Sequence, residues 1–304
     1  MSVVGRRLFG SAEFWWAHRG PVVEPGSPEA AALFALLGRR ARAEGAFALR
    51  VDPEWRVEEC RHLGSPTFAR VPLHADWYQG AIQPVRVWRL SLEGGAEGVS
   101  RRLEPRTRRD VALALRRGAR VRPGTHRDLA ALYALEHATA RRRGFSLRSP
   151  EFFERLWRAW NEEGLGELLV ADDGGRLVGG LWSVYLGRGA WGQFAATDPE
   201  ARRLLPATAL YWAAIGRAIE RGASFFDCGG IDHRTDRPDG LRSFKKGFGP
   251  GDTRFGGEHD LVARPTLYRA FRLAEDLHWA WHGVRRRAGR DPSGPATAAH
   301  ATRG

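Results

Sequence analysis

Between Pro28 and Arg42 the segment PEAAALFALLGRRAR carries apolar residues at helical spacing, with Ser27 as N-cap and Gly45 just past the end. It predicts a helix. The short apolar run AFALRVDP follows and is halted at Pro53, which predicts a strand bringing Arg50 and Asp52 to a sheet end. PVRVWRLSL, residues 84–92, predicts another strand. Behind Pro105, TRRDVALALRRG predicts a helix with a strongly basic face that stops at Gly118. The turn-like RPGTH around Gly124 restarts the pattern, and a domain boundary is expected there. Beyond it Leu129, Leu132, Tyr133 and Leu135 predict one helix. Phe153, Leu156, Trp157 and Trp160, at i, i+3, i+4 and i+7, predict a second.

GELLVADDGGRLVGGLWSVYL places two apolar runs around Asp172-Asp173-Gly174-Gly175, a hairpin composition. AWGQFAAT extends the sheet, a helix is expected from about Leu204 to Arg221, and ASFFDCGG reads as a strand ending on two glycines. Antiparallel strands, a crossover helix and a further strand describe an α/β layer, a helix packed on a mixed sheet. An amphipathic helix is expected over 265–285 and a disordered basic tail over 286–304. Units are expected at 1–123 and 124–264.

Composition changes this picture little. The 304 residues carry a net charge of +13, most of the excess arginine, a surface suited to a polyanion or to an anionic membrane. Heavy arginine use alongside Ala and Gly explains the same excess without a partner. Cys60 and Cys228 are far apart and lack a CxxC or His-rich neighbour, so neither a disulfide framework nor a zinc site is expected. No signal-peptide stretch and no run of about 18 apolar residues occurs, so a cytoplasmic protein without a membrane span is expected.

The strand and helix order is similar to that of GNAT acyltransferases, and four stretches resemble the Fem-type (FemABX) aminoacyltransferases of peptidoglycan bridges. WAHRGPVVE (16–24) is similar to that family's aromatic-x-x-Arg-Gly-Pro-Val segment, and ALRVDPEW to its Arg-Ile-Asp-Pro strand end. HATARRRGFSLRSPEFF resembles its Thr-Ala-x-Arg-x-Gly-Phe segment. FFDCGGIDHRTDRPDGLRSFKKGFGPGDTRFGGEHDL resembles its Asp-x-Gly-Gly-Ile, Phe-Lys-x-Gly-Phe-Gly and Gly-Glu-x-Asp-Leu elements in order.

The resemblance implies two GNAT-like subdomains without a coiled-coil arm. The family usually carries some tens of residues, with a precursor-binding lysine, before the Arg-Gly-Pro segment. Here that segment begins close to Met1, so a first subdomain shortened at its N-terminus is expected.

The implied reaction is transfer of an amino acid (glycine, alanine or serine type) from aminoacyl-tRNA to a stem-peptide side-chain amine. The acceptor would be a lipid-linked or UDP-linked muropeptide. Aminoacyl-tRNA would be co-substrate, with no cofactor and no metal, in a monomer associated peripherally with the inner membrane surface. On the resemblance Lys245 stabilises the oxyanion or holds the tRNA end, with Phe244 shaping the pocket beside it. A solvated basic turn is the competing account of Lys245-Lys246. Asp52 orients the attacking ammonium or takes its proton; a strand-end Asp before a proline turn is the plain alternative.

Arg142 falls at the precursor-binding arginine, in a register left open by Arg141 and Arg143. Trp191 falls at a groove-lining aromatic, with core packing as its alternative. Arg19 is the arginine of the Arg-Gly-Pro segment and is carried over as substrate-binding. Asp227, Gly229 and Gly230 read as pocket scaffolding and Cys228 as a packed thiol. The basic helix with Arg106, Arg108, Arg109, Arg116 and Arg117 would steer tRNA or form a solvated face.

Two other functions compete. An acetyl-CoA-dependent GNAT enzyme shares the fold, but RRLLPATAL stands where its pyrophosphate loop would be, and Pro206 lacks an amide donor. A non-catalytic precursor-binding or tRNA-binding protein is the second.

Overall fold

The computed structural model describes residues 3–63, 68–73, 81–116, 120–143, 147–237 and 239–288. In chain order the elements are β1 (Val4–Phe9), β2 (Ala12–Ala17), α1 (Pro28–Ala43), β3 (Ala46–Val51), β4 (Phe68–Arg70), β5 (Arg86–Ser91), α2 (Gly95–Arg102) and α3 (Pro105–Arg116). There follow β6 (Arg120–Pro123), α4 (Leu129–Arg143), α5 (Pro150–Leu156), β7 (Gly166–Asp173), β8 (Arg176–Leu186), β9 (Gly189–Thr197) and α6 (Pro206–Glu220). The chain closes with β10 (Phe225–Gly230), α7 (Gly240–Gly247), β11 (Asp252–Arg254), β12 (His259–Val262) and α8 (Pro265–Ala288). The described residues form two compact units: 3–86 with 253–288, and 87–252.

In the first unit the strand order is β1-β2-β3-β12-β4. The β2 and β3 strands run parallel, joined by α1, and β12 returns antiparallel between β3 and β4. Ser27 caps α1 through a 3.1 Å bond from the Ala30 amide, as the sequence predicts. The two faces of the sheet bury different sets, the alternation of β3 being interrupted at Phe47-Ala48. Trp15, Leu49, Val51 and Leu261 meet Phe34, Leu37 and Ala41 of α1, while Phe14, Phe47 and Ala48 meet Leu267, Tyr268 and Phe271 of α8.

Arg50 faces the α8 side, fully buried, and its guanidinium forks onto Asp260 with two 2.8 Å bonds. Its remaining nitrogen, Nη1, reaches Glu275 at 2.7 Å and Glu258 at 3.2 Å, and the rings of Phe14, Trp16 and Phe271 lie within 6 Å of its Cζ.

The second unit is built on a seven-stranded mixed sheet, order β11-β5-β10-β9-β8-β7-β6. The β7–β8 hairpin turns at Gly174-Gly175, β8 pairs antiparallel with β9, and α6 carries the chain over to β10, parallel to β9. Leu210, Ala214, Ile215 and Ala218 of α6 cover Leu181, Ala190 and Phe226. On the other face Leu129 and Leu132 of α4 and Phe153 of α5 pack on Leu168, Val170 and Trp182.

The sequence expectation of a boundary near residue 124 falls inside this unit. The reason is non-local: β5 pairs with β10, more than 130 residues later in the chain, and α3 lies on α6. Further elements are additions to the predicted set: the β1–β2 hairpin, β4, α2, β6, α7, β11 and β12. The expected second helix is α5 continued by a π turn over Trp157–Glu162. The expected C-terminal helix runs on to Ala288. Arg117 and Gly118 of the basic helix, Gly144 and Phe145 of the Arg-x-Gly-Phe segment, and 289–304 of the expected tail lie outside the described residues. No described helix is long and apolar enough to cross a membrane.

Candidate active site

The second unit places Lys245 where its two sheet neighbours part. The β10 strand follows β9 only through Phe225, Phe226 and Asp227, opposite Gly189, Ala190 and Trp191. Beyond Asp227 the register of β10 with β5 also shifts, before Gly230 meets Val87. Gly229 has φ +83° in this irregularity, a left-handed conformation that a side chain would strain, and an added Cβ would stand 3.6 Å from the Lys245 Nζ. Asp227 holds the turn: its Oδ1 accepts from the Gly229 amide at 2.7 Å, and its Oδ2 accepts from Arg89 at 3.0 Å. Arg89 lies over Phe225, whose ring meets Trp191 edge-on.

The α7 helix exists because Asp239 caps it, accepting from the Arg242 amide at 2.6 Å, and because its two faces differ. Lys246 points to solvent. Lys245 is 4% exposed, and its Nζ donates to the Gly230 carbonyl at 2.8 Å. Burial pushes its pKa down to about 8, against the pull of its acidic neighbours, Asp227 and Asp239 among them. A solvated Lys-Lys turn is therefore not what the chain forms here. Phe244 packs edge-on against Tyr211 and Phe248. Cys228 is buried and its thiol is pushed far up by desolvation, the state of a packed thiol rather than a nucleophile.

The position of α7 depends on one close approach. Gly247 lies against Thr107 of α3, its carbonyl accepts from the Glu104 amide at 2.9 Å, and an added Cβ would overlap the Thr107 Oγ1. Gly247→Ala is expected to lower stability by about 1–3 kcal/mol through overpacking, measurable as a reduced urea midpoint.

In the first unit Asp52 follows β3 directly and is 2% exposed. Its Oδ1 accepts from the Arg19 amide at 2.6 Å, and among the described residues its Oδ2 has no hydrogen-bond partner. Arg19 has φ +49°; its guanidinium donates to the Pro84 carbonyl at 2.8 Å and lies over Phe255. Burial raises the Asp52 pKa to about 7, opposed by Arg19 and reinforced by Glu258. Glu258 is itself buried and raised to about 7, again chiefly by desolvation, with Arg50 opposing.

Both carboxyls prefer their neutral form in the fold, so the folded chain holds protons that the unfolded chain releases between about pH 4 and 7. Their contribution to stability is complete at acid pH and is lost as pH rises to about 7.

Of the residues singled out in the sequence, Lys245 lies at the β9–β10 parting, Trp191 is the last β9 residue paired with β10 and packs on Phe225, Phe244 packs in the core against Tyr211 and Phe248, and Arg19 and Asp52 are bonded to each other in the first unit. Arg142 stands apart, exposed on α4, with its guanidinium 3.4 Å from the Thr139 hydroxyl. Sequence reasoning missed Glu258 as a buried carboxyl beside Asp52. It also missed Glu136, buried and with its Oε1 unpartnered among the described residues. Glu136 interrupts the apolar stripe Leu129, Leu132, Ala140 of α4, a signal visible in the helical spacing.

Residues 105–246 match the acetyltransferase (GNAT) domain family. A lipid II:glycine glycyltransferase of Staphylococcus saprophyticus is 23% identical, over 75% of this chain and 72% of the relative. One of Staphylococcus aureus (strain USA300) is 24% identical, over 83% and 77%. A crystal structure of FemX shares the fold with a TM-score of 0.77 at 22% identity, covering 88% of this chain and 85% of that one. The C-terminal domain of a putative lysylphosphatidylglycerol synthetase from Agrobacterium fabrum superposes with a TM-score of 0.52 at 14% identity, over 86% and 80%. With ordered motifs, sequence likeness over most of both chains and a second unit that matches the GNAT domain, the chain is similar to the Fem-type aminoacyltransferases and shares the FemX fold.

Proposed function

We propose that this acyltransferase moves an amino acid, glycine in the first instance, from aminoacyl-tRNA to the stem-peptide side-chain amine of a lipid-linked peptidoglycan precursor. The observation that carries the reading is Lys245: a buried amine beside the left-handed Gly229 turn, at the point where two parallel strands separate. Glycine and the lipid-linked acceptor follow the names of the staphylococcal relatives.

The acceptor amine attacks the ester carbonyl, an N–C bond forms, and the C–O bond to the tRNA terminal ribose breaks. Charge develops on the carbonyl oxygen, and the Lys245 ammonium is its counter-charge in a site where water screens little. The attacking amine must shed a proton, and the Asp52 carboxylate, raised to about 7, has the right basicity to take it. Phe244 and Trp191 would border the reacting groups, Arg19 would hold Asp52 and contact substrate, and Arg142 would meet the anionic part of the precursor. Exposed α3 arginines, Arg106 and Arg109 among them, would contact tRNA phosphates. Arg108 is partly engaged already, donating to the carbonyls of Arg101 and Leu103 at the end of α2.

Acetyl-CoA fits less well, because Pro206 opens α6 and supplies no amide to a pyrophosphate. Purified protein given a panel of charged tRNAs and lipid-linked or nucleotide-linked muropeptides is expected to aminoacylate the acceptor, glycyl-tRNA and lipid-linked muropeptide being preferred. Acetyl-CoA binding by calorimetry, with no transfer from any charged tRNA, would reverse the reading.

The same roles fix a pH profile. Asp52 acts as carboxylate and Lys245 as ammonium, so kcat/KM is expected to rise through about pH 7 and fall through about pH 8. Asp52→Asn should remove the acid limb along with most activity. A rate flat from pH 6 to 9 would contradict both assignments.

A further inference from the structure

The α8 helix turns Tyr268 and Phe271 onto the first unit's sheet and leaves a second apolar stripe in solvent. Leu273 and Leu277 are each 63% exposed and Trp281 is 55% exposed, at i, i+4 and i+8, so they share one side of the helix. Exposed Ala270 and Ala280 widen the stripe. Charge changes along the helix as well. From Leu277 to Arg290 the sequence has no acidic residue and contains Arg285, Arg286, Arg287 and Arg290. Large apolar residues aligned on one helix face and followed by arginines differ from the scattered exposed leucines of an ordinary surface.

We propose that this face of α8 lies on an anionic lipid surface, with Leu273, Leu277 and Trp281 entering the boundary between headgroups and acyl chains. The arginine-rich end would meet lipid phosphates. Two other occupants fit less well. The residues after Arg290, DPSGPATAAHATRG, contain no large apolar side chain with which to fill the stripe. A second copy would bring another net +13 and a second arginine run to the same contact. The inference goes beyond the proposed transfer and does not depend on it, since lipid binding is measured without any substrate.

The test is sedimentation of the full chain with vesicles of phosphatidylcholine alone or mixed with phosphatidylglycerol. Binding to the anionic vesicles is expected, weakening with added salt. The double variant Leu273→Glu/Leu277→Glu should bind them at least about tenfold more weakly at unchanged circular dichroism, since each apolar carbon withdrawn from lipid is worth about 0.8 kcal/mol. Leu36→Glu/Val57→Glu, at exposed apolar positions outside the stripe, should bind as the parent does. Should the double variant lose helix content, Leu277→Gln alone is compared, with a smaller loss in the same direction expected.

Failure of the parent to bind anionic vesicles, or equal binding by parent and stripe variants, overturns the proposal. It is overturned equally if the parent forms a dimer that the double variant abolishes while neither protein binds vesicles.

Discussion

Lys245→Met is expected to lower kcat/KM for aminoacyl transfer by about 10²–10³-fold, the range for removal of one oxyanion-stabilising group. Methionine nearly matches the lysine in length, so the space beside Gly229 and Gly230 stays filled and the effect isolates the ammonium. The variant also separates catalysis from folding. Burial depresses the Lys245 pKa from its ordinary 10.5 to about 8, so charging this amine works against the fold below about pH 8, and stability rises with pH between about 8 and 10.5. Removing the charge relieves that opposition and gives up one bond to the Gly230 carbonyl, worth about 1 kcal/mol. The two effects oppose each other, so the melting temperature should hold or rise while activity collapses. Lost activity together with lost stability would point to a structural lysine. Lys246→Met, on the exposed side of α7, should leave transfer within about a factor of two.

Replacing Arg50 is expected to have the opposite profile. Arg50→Met takes the cation from the buried carboxyls Asp260 and Glu258, while Glu275 keeps its ion pair with Arg272, and breaking such a cluster costs about 3–5 kcal/mol. The first unit should then unfold at a markedly lower urea concentration. Any activity lost should return when stability is restored by solution conditions. A variant as stable as the parent would show that the Arg50 cluster does not hold β3, β12 and α8 together.

The periodic elements were legible in the sequence because their faces are buried in one pattern. Leu37 and Ala41 of α1, and the alternation around Gly174-Gly175, need no distant partner to be read. The β1 strand escaped notice because it is an edge carrying Arg6 and Arg7, with nearly every described side chain exposed. Helices α2 and α7 are each eight residues long, and their glycines and charges resemble loop composition until the Asp239 cap is seen. The boundary expected near residue 124 failed to coincide with the units because β5 joins the second sheet through β10, a pairing that local pattern does not encode.

At the candidate site, the Phe-Lys motif supplied the position of Lys245 through family resemblance. Its burial, and the opposite exposure of its neighbour Lys246, depend on α7 lying against α3 at Gly247. Asp52 was likewise placed by motif. Its unpartnered oxygen and its interaction with Glu258 arise from β12 inserting between β3 and β4, a return from about 200 residues further along the chain.

The central claim is transfer from tRNA to a muropeptide amine. Its most direct measurement is the mass of lipid-linked muropeptide after incubation with the full chain and glycyl-tRNA, with a parallel reaction in which the tRNA is first digested by ribonuclease. The account predicts a gain of one glycyl residue on the acceptor side chain, absent after ribonuclease treatment and absent with Lys245→Met. An unchanged acceptor with intact glycyl-tRNA and with every other charged tRNA would contradict it.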